Sequence, residues 1–307
     1  MTENNTTTSF AQYDYHGDTE RIGKSGLDLI HQAPIKYYLE RLAPDRIPLD
    51  TKALRLGKFY HAYLFEPHTL ETDFYILRES EKLAEIGGVK PRVTTAYKDW
   101  MAEEVAKCGD RVLIQEDYAD QADPMKAALM RNPIIRELLE SPGKTEFPIL
   151  WEMENGVQAK SKLDKFIPKF ISMSEETAKL DGCYVILDYK TADDASLIGF
   201  TRSVKKYRYD VQNAMYLDAI DYAGGGNLGA PVVFVFIVQE KSYPYLCEVY
   251  ELAEEDIEAA REQYLSDAEV YKTCMQKWRE TGDPFEAFHG YSESPAINTI
   301  FLQGGGW

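Results

Sequence analysis

The run Val185-Ile186-Leu187-Asp188-Tyr189-Lys190-Thr191 constrains this chain most, because an apolar, strand-like segment ends in a carboxylate and an amine two residues apart. Side chains at i and i+2 of a strand stand on one face. An acid and a lysine projecting together from a hydrophobic strand are costly to bury unless they pair or hold a metal. The arrangement suits metal-assisted hydrolysis of a phosphodiester. Alone it is a weak signal: with aspartate and lysine each near ~6% of residues, a chain this long contains on the order of one Asp-x-Lys by chance. What accompanies it decides.

The chain has 307 residues, 44% of them hydrophobic, enough for a substantial core. No segment approaches the ~18 uninterrupted apolar residues of a membrane span, so a soluble protein with no membrane partner is expected. Residues 1–20, with Asn4-Asn5 and Thr6-Thr7-Thr8, lack the basic start and apolar middle of a signal peptide. They read as a polar flexible tail, and cytoplasmic residence follows. Cys108, Cys183, Cys247 and Cys274 form no Cys-x-x-Cys pair, which argues for reduced thiols and against a zinc ribbon or iron-sulfur cluster.

The formal charge, 34 − 51 = −17, is awkward for a nucleic-acid binder, whose phosphate contacts ordinarily come from a basic surface. An enzyme that encloses DNA needs only a local basic lining. Arg202, Lys205, Lys206 and Arg208, the densest basic cluster, are candidates for that lining; the alternative is a solvated helix edge.

Helical patterns cover 25–42, with Ser25 as N-cap and Pro34 kinking or dividing it, then 54–65 and 94–107, followed by a short strand at 111–115 and helices at 119–130 and 133–140. From Thr145 the texture changes. Strands at 147–152 and 157–167 flank the hairpin signal Glu154-Asn155-Gly156, and the 183–190 strand completes a sheet. A helix at 207–222 ends at Gly224-Gly225-Gly226; strands at 232–239 and 245–252, a long acidic helix at 254–280 and an irregular C-terminus follow. With no repeat and no rich linker, 21–307 reads as one α/β domain, an N-terminal helical region wrapped on a central mixed sheet.

Asp164 closes the second hairpin strand, 188 − 164 = 24 residues before Asp188, and adjacent strands can bring the two acids together. Converging carboxylates repel unless a cation neutralises them, and hard oxygen donors suit Mg²⁺ or Mn²⁺. Lys190 then serves the attacking water or the phosphate charge. The bland alternative has Asp164 capping a turn and Lys190 pairing with a surface acid. Gly57 and His61 share a helix face at i and i+4, the glycine allowing close approach and the imidazole offering a ligand or a core contact. Gln212 and Tyr216 repeat that spacing, for site or for packing, and Glu146 is a further carboxylate at the entry to the first hairpin strand.

In order, Gly57-x-x-x-His61, Glu146 followed by Trp151, Lys162-x-Asp164, Leu187-Asp188-Tyr189-Lys190-Thr191 and Tyr209-Asp210-Val211-Gln212-x-x-x-Tyr216 resemble the PD-(D/E)xK nuclease superfamily, nearest its RecE-like branch, the phage exodeoxyribonuclease VIII family. The likeness runs from about Ser25 to Leu252. It implies a restriction-endonuclease-like core, with His61, Asp164, Asp188 and the Tyr189 carbonyl as metal ligands and Lys190 as the catalytic lysine. Gln212 and Tyr216 would shape the site near the scissile phosphate, while Glu146 matches loosely an acidic position of lambda exonuclease. The chain departs from the family in its longer 168–182 segment and its acidity.

The resemblance implies a Mg²⁺-dependent 5′ to 3′ exonuclease, with Mn²⁺ able to substitute, acting on linear double-stranded DNA. It would leave 3′ overhangs for a RecT- or beta-type annealing protein and would work as a homo-oligomeric ring. Two other readings are an endonuclease or single-strand nuclease of the same superfamily, and a non-catalytic acidic DNA mimic or scaffold.

Overall fold

Two sheets organise the residues described by the computed structural model, which are 15, 17–46 and 50–292. The smaller pairs β1 (Phe74–Leu77) in parallel with β2 (Val112–Gln115). The larger runs in the order β3 (Lys144–Glu152), β4 (Gln158–Ile167), β5 (Tyr184–Ala192), β6 (Val232–Glu240) and β7 (Cys247–Tyr250). Its β5–β6 pair is parallel and its other neighbours antiparallel, so the central sheet is mixed, as expected. Among the described residues the helices of eight residues or more are α1 (Lys24–Gln32), α2 (Lys52–Phe65), α3 (Thr95–Cys108), α4 (Ala122–Arg131), α5 (Pro133–Glu140), α6 (Leu197–Tyr207), α7 (Tyr209–Ala223) and α8 (Glu254–Thr281).

Alternation along β5 explains why its sequence is apolar throughout. Ile186 faces a core built with α1, α7 and α8, where Leu27, Met215 and Tyr264 are buried. Val185 and Leu187 face the opposite core, with Phe59 of α2, Leu129 of α4 and Leu138 of α5. A strand covered on both faces has no polar side to show. The β3–β4 turn is the expected one, with Gly156 at φ 79, a left-handed value that glycine adopts at no steric cost.

The helix over 25–42 is divided at Pro34, one of the two outcomes expected of that proline: α1 ends at Gln32, Ala33 is extended, and a four-residue helix at Pro34–Tyr37 passes into a π-helical turn at Tyr38–Leu42. Other local readings need correction. Ser25 is not the cap of α1. Gly23 holds that position without a side-chain bond, because the chain enters α1 straight from a bridge between Ile22 and Ala159. The helix expected over 207–222 is α7, Tyr209–Ala223, but the helix before it, α6, was not expected; Arg208, in the left-handed region at φ 54, separates the two. Strand β1 was not expected at all, being four residues long with its partner, β2, 112 − 74 = 38 residues further along the chain.

The 1–20 tail lies mostly outside the described residues. Its described end is tied down, since the Lys160 ammonium donates to the Tyr15 and Asp18 carbonyls. Of the C-terminus, 284–287 form a short helix and 293–307 lie outside the described residues. The long 168–182 segment is anchored by the buried Glu137, whose carboxylate accepts from Met173 N at 2.6 Å, Ser174 Oγ at 2.9 Å and Thr177 Oγ1 at 3.0 Å. All four cysteines are free thiols. No helix among the described residues is long and apolar enough to cross a membrane.

Candidate active site

Strands β4 and β5 pair only over Lys165↔Leu187, Phe166↔Ile186 and Ile167↔Val185, then diverge. Beyond the last rung, a side chain replaces the ladder: Asp164 Oδ2 accepts from Tyr189 N at 2.9 Å. The divergence opens a gap between the strands just where Asp164 and Asp188 stand. Asp188, 1% exposed, points toward α7, and Lys190 Nζ lies 2.7 Å from its Oδ2. Gln212 of α7 braces both: its amide nitrogen donates to Asp188 Oδ1, and its oxygen accepts from Lys190 Nζ at 3.0 Å. Tyr209, one turn earlier, sets its ring 4.7 Å from the Lys190 ammonium.

His61 closes the gap from α2. Its Nδ1 is 3.2 Å from Glu146 Oε1 and its Nε2 is 3.0 Å from Asp164 Oδ2. Glu146 also holds the Lys162 ammonium. Donor atoms of His61, Glu146 and Asp164 all lie within 4.8 Å of one another. Glu146 thus stands in the cluster beside the residues that the sequence put forward first. Tyr216, buried one turn beyond Gln212, completes the wall on α7.

The fields in this gap are strong. Burial pushes the Asp188 carboxyl up to about 6, Lys190 opposing and Asp164 adding to the rise. Burial also raises Asp164, but His61, Lys190 and the Tyr189 N–H outweigh it and hold Asp164 below the usual carboxylate range. For His61 burial works downward, and Asp164, Glu146 and Asp188 reverse it, lifting the imidazole to about 9. Lys190 is likewise lifted by Asp188 and Asp164 against its burial.

Two buried atoms of the gap, His61 Nε2 and Asp188 Oδ2, rest on ion pairs without an aligned hydrogen bond, Nε2 3.0 Å from Asp164 Oδ2 and Oδ2 2.7 Å from Lys190 Nζ. One imidazole nitrogen and several carboxylate oxygens, turned inward and crowded enough to raise one another's proton affinity, are a donor set that fits a divalent cation.

A family model described as a PDDEXK-like domain of unknown function (DUF3799) matches residues 32–284. The chain belongs to this family. The PDDEXK-like fold is seen again in a crystal structure from Eubacterium rectale named "Putative exonuclease", which is similar at a TM-score of 0.52 and 17% identity over 85% of this chain and 86% of that one. No curated protein matches the chain. Its PDDEXK-like domain, with the cluster above, is of nuclease type.

Other residues of the PDDEXK-like domain are placed less centrally. Arg202, Lys205 and Lys206 are exposed along α6, one face of which leads back toward Tyr207 and the Lys190 side of the gap. Arg208 is separate from them: its guanidinium is taken by Asp28 at 3.2 Å and by Asp267. Sequence reading gave no role to Lys162, Tyr209 or Lys24. Lys162 was legible as the i−2 neighbour of Asp164 on one strand face, and Tyr209 as the i−3 neighbour of Gln212. Lys24 pairs with Asp28 one turn along α1 at 2.8 Å, a local contact, while its bond to the Tyr207 carbonyl comes from packing against the end of α6 and left no local signal.

Proposed function

We propose that this chain is a Mg²⁺-dependent 5′ to 3′ exonuclease of the RecE-like kind, acting on linear double-stranded DNA and leaving 3′ overhangs for recombination by single-strand annealing. The observation that carries the reading is the cluster of His61, Glu146 and Asp164, whose donor atoms lie within 4.8 Å of one another, beside the Asp188–Lys190 ion pair. The order of the motifs supports the RecE-like assignment, and the name of the similar Eubacterium rectale protein supports exonuclease over endonuclease. A RecT- or beta-type annealing partner and a ring of several copies belong to the same proposal.

His61 Nε2, Asp164, Asp188 and the Tyr189 carbonyl would hold the ion, Mg²⁺ or in its place Mn²⁺. A divalent cation bound there supplies charge to phosphate oxygens and acidifies water. Lys190 remains an ammonium between two carboxylates, so it donates to a phosphate oxygen or to the attacking water rather than accepting a proton. Gln212 keeps Lys190 and Asp188 at fixed separation. Glu146, facing Nδ1, turns the other ring nitrogen of His61 inward, the usual service of an outer carboxylate to a ligating imidazole.

Digestion of linear duplex DNA labelled at either the 5′ or the 3′ end, beside a closed circle, tests the proposal. Early release of the 5′ label in Mg²⁺, with the circle intact and no reaction in EDTA, is the expected result. A cut circle would point to an endonuclease of the same fold, and no cleavage of any substrate would sink the enzymatic reading.

A further inference from the structure

A second group of cations lies beyond the N-terminal end of β4. Arg41, at the close of the π-helical turn, and Arg46 after it share a recess of about 690 Å³ with Trp278 and Arg279 at the end of α8 and with Gln158 at the start of β4. In a protein with 51 acids to 34 bases, arginines readily find carboxylates, as Arg92, Arg208 and Arg261 do. Among the described residues, none of the three in the recess is ion-paired; Arg41 alone makes a hydrogen bond, to Ser25 Oγ at 3.3 Å. Glu20 is the one carboxylate of the lining. Three guanidiniums facing one acid leave a local positive excess that favours an anion.

The recess also offers a flat surface. The Trp278 indole is fixed edge-on by Tyr38, 5.5 Å away, and by Phe288, 5.9 Å away. Guanidiniums beside a held aromatic ring are the chemistry of phosphate binding combined with base stacking. Gln158 shares a strand face with Asp164, six residues or about 20 Å along β4. At ~3.4 Å per nucleotide of stacked strand, that separation is about six nucleotides. Tyr15 lies over the stretch of β4 between Gln158 and Asp164, its ring 4.9 Å from the Lys160 ammonium and 5.7 Å from that of Lys162.

We propose that this recess binds the phosphate backbone of the DNA strand about six nucleotides from the bond being cut, with Trp278 against a base. The proposal rests on the nuclease reading. Arg41→Gln/Arg46→Gln/Arg279→Gln, all at exposed positions, is compared with the parent and with Lys90→Gln/Lys98→Gln/Arg136→Gln, which removes equal charge from exposed sites elsewhere. Binding of a fluorescent linear duplex in EDTA is followed across a salt series, and Mg²⁺-dependent digestion gives KM and kcat. The recess variant should bind at least about tenfold more weakly, with the log K against log salt slope shallower by about 0.7–0.9 for each phosphate left without its arginine. Its KM should rise with kcat unchanged, while the control keeps the parental slope. Parental affinity in the recess variant, or an equal loss in both variants, overturns the proposal and leaves the nuclease reading standing. A parent that neither binds nor cuts DNA overturns both.

Discussion

Glu146 stands directly across from Asp164 in the β3–β4 ladder, between the pairs Thr145↔Lys165 and Phe147↔Leu163, with its backbone at φ 48. That left-handed conformation costs a residue with a Cβ roughly 1–2 kcal/mol. What it gains is aim, since the carboxylate meets both His61 Nδ1 and the Lys162 ammonium. Glu146→Ala and Glu146→Gly lose the carboxylate alike, but only glycine relieves the backbone. The glycine variant should therefore be about 1 kcal/mol more stable than the alanine variant. Both should bind Mn²⁺ about 10–100-fold more weakly than the parent, while Glu146→Gln, still an acceptor for Nδ1–H, loses less. Thermal melts and calorimetry decide, and equal stability of the two variants would remove strain from the account.

Gln212 bonds both Asp188 and Lys190, and in the proposed reaction it acts as their brace rather than in the chemistry. Gln212→Ala frees Lys190 and Asp188 from their common partner, and kcat should fall about 10–100-fold with the fold intact. Lys190→Met and Asp188→Asn remove participants and should cost about 10²–10⁴ or more. Single-turnover digestion ranks the three, with circular dichroism checking the fold; a Gln212→Ala rate equal to the parent's would contradict the bracing role.

Proton and metal compete for the same atoms. His61 must be neutral at Nε2 to ligate, yet without metal its pKa lies at about 9, and that of Asp188 at about 6. Mn²⁺ binding should therefore displace two protons below pH 6 and one between 6 and 9, and affinity should climb with pH until about 9. Stability without metal runs the other way. A histidine whose folded pKa exceeds its unfolded value of ~6.5 stabilises fully below that value and loses this as pH rises to about 9. Calorimetry at pH 7.5 in two buffers of different ionisation enthalpy should report about one proton released by the parent and none by His61→Ala.

The legible parts of this chain were those whose signal is local. Asn155-Gly156 marked a hairpin because its turn demands φ > 0, and the helix read over 133–140 is α5, which the structure shows capped by Asn132. Asp188 and Lys190 were paired by strand period alone. The break at Arg208 was invisible, because that left-handed residue is held by Asp28 and Asp267, which are distant in sequence. The bond from Tyr189 N to Asp164 was equally hidden, since it depends on where two strands stop pairing.

Gly57 lies one helical turn before His61, and a close approach of α2 to its neighbour was expected there. The opposite holds: a Cβ at Gly57 would meet nothing within 4 Å. The glycine leaves open space next to a metal-ligand candidate while weakening its helix. Gly57→Ala should raise stability by about 0.8–1 kcal/mol through helix propensity alone. If the DNA strand of the proposed reaction enters across this face, the same methyl should raise KM for duplex DNA. A more stable variant with unchanged KM would put the strand elsewhere.

The basic run at 202–208 separates into two groups, one exposed and one ion-paired. Arg202, Lys205 and Lys206 are solvated and free to follow a DNA backbone, so Arg202→Ala/Lys205→Ala/Lys206→Ala should weaken binding and flatten its salt dependence with little change in melting temperature. Arg208 joins α1, α8 and the α6–α7 break through Asp28 and Asp267, its side chain only 12% exposed. Removing it leaves Asp28 with Lys24 and Asp267 with His31 as remaining partners, and Arg208→Ala should cost about 1–3 kcal/mol of stability. Because α7 carries Gln212 just four residues on, kcat should fall as well, by loss of the brace rather than of a phosphate interaction. Urea titration with a salt series separates the two effects: Arg208→Ala should show the stability loss and the parental salt slope. A stable Arg208→Ala protein with a flattened slope would return Arg208 to the DNA surface.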